Sequence, residues 1–407
     1  MKTHSDNARL AVDLEMSAEE HERSRMLSAL IQEQIASSDH QAIPFSSYMN
    51  LALYAPNCGY YTSAGRVVGA GGDFITAPEL GEVFGIVLAS KIADCRTQFE
   101  NPPVLYEFGA GNGTLAMQIL EQLHRRNVDI ENYVIVEVSP VLREIQKDTF
   151  SRAGHQVGHK IEWRETLPQS GFDGIVIANE VIDAMPVELF FKAGDECRQG
   201  FVVETDGGLG LEYRTPVRPD FRKSINALNL LEFDDEYFSE IHCQAEAWIR
   251  TLAQMMRSGS ILIADYGFPE HEYYHHDRNQ GTLVCHRRHR LVYDPFAYIG
   301  CQDITAHVNY TGLARAAAEM GMEVNGFTNL GSFVVDIAVI GAALEQATQN
   351  SAQHARELDK LSSPQEMGEI FKVMELTKNF NSTGLGFELS DRTHRLGVSD
   401  PNFGAGN

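Results

Sequence analysis

Short apolar runs that alternate with helical segments from residue 103 onward constrain this chain more than any other feature. Val104–Phe108, Tyr133–Glu137, Gly174–Ala178 and Ser260–Ala264 read as strands, with a less apolar one over Lys160–Trp163. Between them Thr114–Arg126 reads as a helix, and Ser139 followed by Pro140 supplies an N-cap with proline at the first helical position. Strands that are apolar at nearly every position leave neither face for water. They therefore predict a parallel sheet covered by helices on both sides, an α/β fold with a Rossmann-like core.

The rest of the chain is arranged around that core. Residues 1–41 are acidic and polar, with one helix announced by the capping-box spacing of Ser17 and Glu20. Residues 42–98 form a helical N-terminal segment: a short helix over 44–54, an aromatic, glycine-rich loop from Pro56 to Asp73, and a second box, Thr76 to Glu79. That box opens a helix with one apolar stripe, Leu80, Val83, Phe84, Val87 and Leu88. The core spans 99–345, with an insertion at about 188–258 that reads as a β-hairpin region and then a helix over 236–257. Residues 346–407 are a helical segment, 351–379, and a loose glycine-rich tail.

The first strand runs into EFGAGNGTL, Glu107 to Leu115, and then into a helix. Glycine there lets the backbone turn sharply and approach a ligand closely, at the sheet edge where open α/β folds bind nucleotides. The spacing is G-x-G-x-G over Gly109, Gly111 and Gly113, and Thr114 stands where the dinucleotide fingerprint needs its last glycine. No Gly-Lys-Ser/Thr follows, which excludes a P-loop. Glu107 would repel a pyrophosphate but attract the ammonium and sulfonium charges of S-adenosyl-L-methionine. Glu137, ending the second strand, is placed to accept hydrogen bonds from ribose hydroxyls. The plainer alternative is an unliganded tight turn with a solvent-facing acid.

Further acids follow later strands. Asn179, Glu180 and Asp183 come after Ala178, and Asp265 after Ala264. Carboxylates gathered at one sheet edge can hold a cationic nucleophile and assist proton removal, although each alone could be a helix cap or ordinary edge polarity. His307 is a further candidate, equally readable as a satisfied structural histidine. His271 and His275 match the H-E-x-x-H zinc pattern, but the stretch sits in an apparent loop with no third ligand, so no metal is expected. Cys58, Cys95, Cys197, Cys243, Cys285 and Cys301 show no C-x-x-C spacing and suit reduced thiols. A net charge of −23 argues against nucleic acid and is compatible with a basic protein segment as partner. No run of 18 apolar residues suggests membrane insertion, and the acidic N-terminus resembles neither a secretory leader nor a mitochondrial presequence, so the expected location is cytoplasmic.

Taken together, the motifs resemble the MidA-like methyltransferases, a family that includes the mitochondrial complex I assembly factor with protein-arginine methyltransferase activity. The blocks are GDFITAPE (Gly72 to Glu79), EFGAGNGTL, YVIVEVSP (Tyr133 to Pro140) with Leu142 and Arg143, and ANEVIDAMPV (Ala178 to Val187). They continue as DYG (Asp265 to Gly267), GTL (Gly281 to Leu283), QDITAHV (Gln302 to Val308), and PQEMG (Pro364 to Gly368) with Phe371 and Lys372. The resemblance implies a class I methyltransferase core with a seven-stranded, mostly parallel sheet and a helical cap. It implies cofactor contacts from Gly109, Gly111, Gly113 and Glu137, with Asn179 and Glu180 near the methyl group and the segment holding Gly72 and Asp73 folding over the site. It also implies a protein acceptor, with arginine in a basic segment and a respiratory-complex subunit among the candidates. Two departures bear on the acceptor: Asn309 and Tyr310 stand where Asp-Phe is expected, and Ile86 where an acid is common. A partner-binding assembly factor without catalysis and a nicotinamide-dependent oxidoreductase remain as alternatives.

Overall fold

The computed structural model describes residues 15–63, 77–153, 160–167, 171–228, 233, 236–340 and 351–397. It divides into two units. One comprises Met1–Phe74, Ala184–Ala245 and His271–His307; the other comprises Ile75–Asp183, Glu246–Glu270 and Val308–Asn407.

The second, larger unit holds the expected sheet. Its strands are β1 (Val104–Phe108), β2 (Tyr133–Val136), β3 (Ile161–Arg164), β4 (Phe172–Asn179), β5 (Met256–Phe268), β6 (Glu323–Asn329) and β7 (Phe371–Lys378). They lie in the order β6-β7-β5-β4-β1-β2-β3. Strands β1 to β5 pair in parallel, and β7 runs antiparallel to both its neighbours. The two-residue strand Val308–Asn309 adds beside the end of β5. Because β2 and β3 lie on one side of β1 and β4 on the other, strand order reverses between β1 and β4. The carboxyl ends of two strands at such a reversal are where open α/β sheets take their ligands.

Helices α1 (Val83–Arg96), α2 (Thr114–Arg125), α3 (Pro140–Ala153), α4 (Tyr310–Glu319), α5 (Leu330–Ile340) and α6 (Ser351–Ser362) accompany the sheet. One apolar cluster joins Val87 and Ile92 of α1, Leu115 and Ile119 of α2, Ile175, Leu262 and Val373 of the sheet, and Phe333 of α5. The smaller unit has its own cluster, built from Leu27, Ile31, Phe45, Tyr48, Leu189 and Val202. It contains a five-stranded antiparallel sheet and a three-stranded one. Its helix Ala18–Ser37 starts with the expected capping box, both hydrogen bonds present.

Several expectations are corrected. Phe371–Lys378 is a strand, not the end of a helix, and seven of its eight residues are buried. Its charged residues lie inside because partners reach them: Lys91 of α1 meets Glu375 at 2.9 Å, and Ser260 and Ser382 donate to the same carboxylate. Tyr237–Ile241 is likewise a strand ahead of the helix Cys243–Met255. Its Glu240 is buried and accepts the N–H groups of Thr282 and Leu283. Helix α1 begins at Val83, whose N–H donates to Glu357 of α6 (3.2 Å), so its cap comes from another helix. Burial all round α1, Lys91 included, replaces the single stripe. Thr76, which was to cap it, is outside the described residues. The tail after Phe380 is not loose as far as Leu396: Leu385 and Phe387 join the core, and Asp336 accepts the N–H groups of Gly386 and Leu389.

Candidate functional site

Where β1 ends, the chain turns through Gly109, Gly111 and Gly113 at φ +59°, +53° and +83°, the left-handed region that a Cβ disfavours. Gly113 is the N-cap of α2, so the first helical turn follows directly on the loop, its Thr114 N–H donated to Asn112 Oδ1 at 3.0 Å. Helix α3 holds the turn in place: Gln146 Nε2 donates to the Gly111 carbonyl (2.9 Å) and Thr149 Oγ1 to that of Asn112 (2.8 Å). Asn112 Nδ2 in turn donates to Glu79 Oε1 at 3.1 Å.

Two carboxylates flank this cradle. Glu107 on β1 is 2% exposed and accepts the Tyr133 hydroxyl at 2.9 Å; burial pushes its carboxyl up to about 8. Glu137 follows β2. Its Oε1 accepts the Ser139 N–H (2.9 Å) and its Oε2 accepts Gln146 Nε2 (3.2 Å), while burial raises its pKa above the ordinary value.

At the end of β4, Asn179 is followed by Glu180 at φ +52°. For a residue with a Cβ that conformation costs on the order of 1–2 kcal/mol, and such strain gathers at functional sites. The Glu180 N–H is held by the Ala264 carbonyl of β5 at 2.9 Å. Its carboxylate receives Asn179 Nδ2 at 3.3 Å. Burial first, then the nearby charge of Asp265, pushes Glu180 up to about 8, and Glu79 adds to the effect. Asn179 Oδ1 is buried with no hydrogen-bond partner among the described residues.

Asp265 lies at the sheet edge that the sequence suggested, but is put to a different use. It is fully buried, and Oδ2 accepts the N–H groups of Val181, Ile182 and Asp183 at 3.2, 2.9 and 3.2 Å. Oδ1 accepts its neighbour Tyr266 N–H at 2.8 Å. A carboxylate sealed from solvent and engaged by four backbone donors fixes the loop that carries Glu180; it has no face left for a nucleophile. Asp183, also buried, belongs to that loop.

One unit therefore brings together Glu107, the three glycines, Glu137, Asn179, Glu180, Asp183 and Asp265. His307 belongs to the other, where its N–H donates to Thr282 Oγ1 at 3.0 Å. Gly72 and Asp73 lie outside the described residues. Sequence reasoning missed Gln146 and Thr149, which no local pattern marks because they sit on α3 while the carbonyls they hold lie on the glycine loop before α2, 35 and 37 residues earlier. The two departures from the family pattern serve packing: Asn309 caps α4 through the Gly312 N–H (3.2 Å), and the Tyr310 hydroxyl donates to the carbonyls of Asp265 and Lys372. Ile86 is in the core. Among the described residues, the side chains close enough to share a metal ion are the exposed His275, His276 and Asp277; His271 is not among them.

A glycine cradle with flanking buried carboxylates fits a ligand that carries ribose hydroxyls and positive charge. Asn179, with its buried orphan oxygen, supplies a further acceptor at the same edge. Comparison with known proteins agrees. The model of a family described as S-adenosyl-L-methionine-dependent methyltransferases matches residues 87–328. The mitochondrial protein arginine methyltransferase NDUFAF7 homolog of Drosophila melanogaster is 30% identical over 375 residues, 82% of this chain and 81% of its own. Human mitochondrial protein arginine methyltransferase NDUFAF7 is 28% identical over 366 residues, covering 82% and 80%. A crystal structure from Burkholderia thailandensis, bound to S-adenosyl-homocysteine, is 35% identical with a TM-score of 0.86 and covers 93% of this chain and 99% of that one.

Proposed function

Because this chain belongs to the S-adenosyl-L-methionine-dependent methyltransferase family, we propose that it methylates a nitrogen of arginine in a basic segment of a protein. The cofactor supplies an electrophilic methyl group on a positively charged sulfur. What the chain must add is orientation, since in-line displacement depends on holding nucleophile and methyl in near-attack geometry. Gly109, Gly111 and Gly113 cradle the cofactor, Glu107 faces its positive charge, and Glu137 takes the ribose hydroxyls.

The observation that carries the acceptor assignment is Glu180: a strained carboxylate at the sheet edge, beside Asp265 and Glu79, with no cationic side chain among the described residues that act on it most strongly. A guanidinium brought to that edge supplies the missing positive charge and donates bidentate hydrogen bonds. Glu180 orients it and accepts the proton that the methylated nitrogen loses. Asp183 and Asp265 hold the loop. The names of the Drosophila and human relatives support arginine, and a respiratory-complex subunit remains the candidate partner. A cytoplasmic site of action fits six free thiols, although those two relatives are named as mitochondrial. No helix among the described residues is long and apolar enough to cross a membrane.

The test is methyl transfer from labelled cofactor to matched peptides in which arginine or lysine is the sole cation, with Glu180→Gln alongside wild type. Label on arginine, and a loss in the variant of at least a hundredfold in turnover with S-adenosylhomocysteine affinity within threefold, is the expected result. Label on lysine, or equal losses in turnover and affinity, would refute the assignment.

A further inference from the structure

Gln146 makes contacts that neither catalysis nor packing explains by itself. It is fully buried, on the face of α3 that meets both cofactor-side segments. Its Nε2 donates to the Gly111 carbonyl (2.9 Å) and to Glu137 Oε2 (3.2 Å). Its Oε1 accepts Trp163 Nε1–H from β3 at 3.0 Å. Indole N–H can only donate, so it must face the amide oxygen. Trp163 thereby decides which way the amide points: with the oxygen taken, the NH₂ group is turned toward Glu137 and the glycine loop. The reversed amide would set its oxygen against a carboxylate and a carbonyl, three acceptors with no proton between them.

The consequence falls on Glu137. Each carboxylate oxygen already accepts one hydrogen bond, Oε1 from the Ser139 N–H and Oε2 from Gln146. A carboxylate offers about four lone-pair sites, so even with the Val138 N–H also acting on it room remains for further donors. Two fixed carboxylate oxygens match the two vicinal hydroxyls of a ribose. Gln146 also ties that carboxylate to the carbonyl of the middle loop glycine, so the ribose acceptor and the cradle are set by one side chain.

We infer that Gln146, with its amide oriented by Trp163, is a positioning residue that presents Glu137 and the glycine loop together to the cofactor's ribose. This rests on the reading of Glu137 as the ribose acceptor. Through that carboxylate it contributes to selection of a ribonucleoside ligand over one lacking its hydroxyls.

The experiment is calorimetric titration of the full chain with S-adenosylhomocysteine and with its 2′,3′-dideoxy analogue, for wild type, Gln146→Met and Trp163→Phe. Wild type is expected to favour the ribose form by on the order of a hundredfold, for two hydrogen bonds to a charged acceptor. Gln146→Met should lose on the order of tenfold for S-adenosylhomocysteine and less than threefold for the dideoxy analogue. Trp163→Phe keeps the amide but frees it to invert, and should show the same selective loss at smaller size; it also serves if Gln146→Met does not fold. Equal losses on both ligands, or no loss on either, would overturn the inference and leave Gln146 as packing alone. If wild type binds both ligands alike, the Glu137 reading itself falls, an outcome distinct from failure of the positioning argument.

Discussion

Glu107 and Glu180 are the two residues at which this site's chemistry can be read most directly from a proton. Burial pushes both to about 8, so each is mostly protonated in the ligand-free protein at neutral pH. An acid with a raised pKa binds more protons folded than unfolded between its ordinary value of 4.5 and about 8. Its contribution to stability is therefore lost progressively as pH climbs through that window. A cationic ligand favours the ionised form and must expel the proton below pH 8. Affinity for S-adenosylmethionine should accordingly rise from pH 6 to 8 and level off above, with proton release at pH 7 seen as a dependence of binding heat on the buffer's ionisation enthalpy. A flat profile with no proton release would remove Glu107 from the neighbourhood of the cation. Gly111, at φ +53°, gives a sharper residue-level outcome: Gly111→Ala should weaken S-adenosylhomocysteine binding at least tenfold, since the methyl both strains the turn and narrows the cradle. Circular dichroism should show the fold retained.

At the scale of elements, β7 is tied to α1 by a buried ion pair. Lys91 Nζ and Glu375 Oε2 lie 2.9 Å apart with side-chain exposures of 2% and 0%. Glu375→Ala strands the lysine and should cost about 3–5 kcal/mol in urea unfolding, whereas Lys91→Met with Glu375→Leu together should cost much less. A small loss in the single variant would show that water reaches the pair. This element also shows where sequence reading stops. The glycine turn, the Ser17–Glu20 box and the first parallel strands were legible because their logic is local: a φ only glycine likes, a cap three residues away, a run of apolar side chains. FKVMELTK, inside the segment read as helical, carries Lys372 and Glu375 and so lacks the unbroken apolar run that marks the parallel strands. Tyr237–Ile241 likewise has its apolar run interrupted by Glu240. Both carboxylates are buried because distant donors meet them, Lys91 and Ser260 for one, Thr282 and Leu283 for the other. Asp265 was placed at the correct edge, but its use as a backbone clamp could not be inferred without knowing that the 181–183 N–H groups converge on it.

The whole molecule carries 56 acidic against 33 basic residues, and that excess acts at longer range than any single contact. A net charge of −23 creates a field that draws a cationic segment toward the surface before any pocket recognises it. Screening shortens this reach: the Debye length is about 10 Å at 0.1 M salt and about 4–5 Å at 0.5 M. For an arginine-rich peptide acceptor, kcat/KM should fall roughly tenfold or more between 50 and 500 mM sodium chloride, with KM bearing the change and kcat nearly constant, because the carboxylates at the reacting edge are buried and poorly screened. The Kd of S-adenosylhomocysteine, zwitterionic in its amino-acid part and neutral elsewhere, should move by less than threefold over the same range. A peptide of the same length with a single arginine and no other charge separates the two contributions: its kcat/KM should be far less sensitive to salt. If that peptide is as salt-dependent as the basic one, ionic strength acts on the enzyme's own conformation, and the acidic surface has no part in acceptor capture.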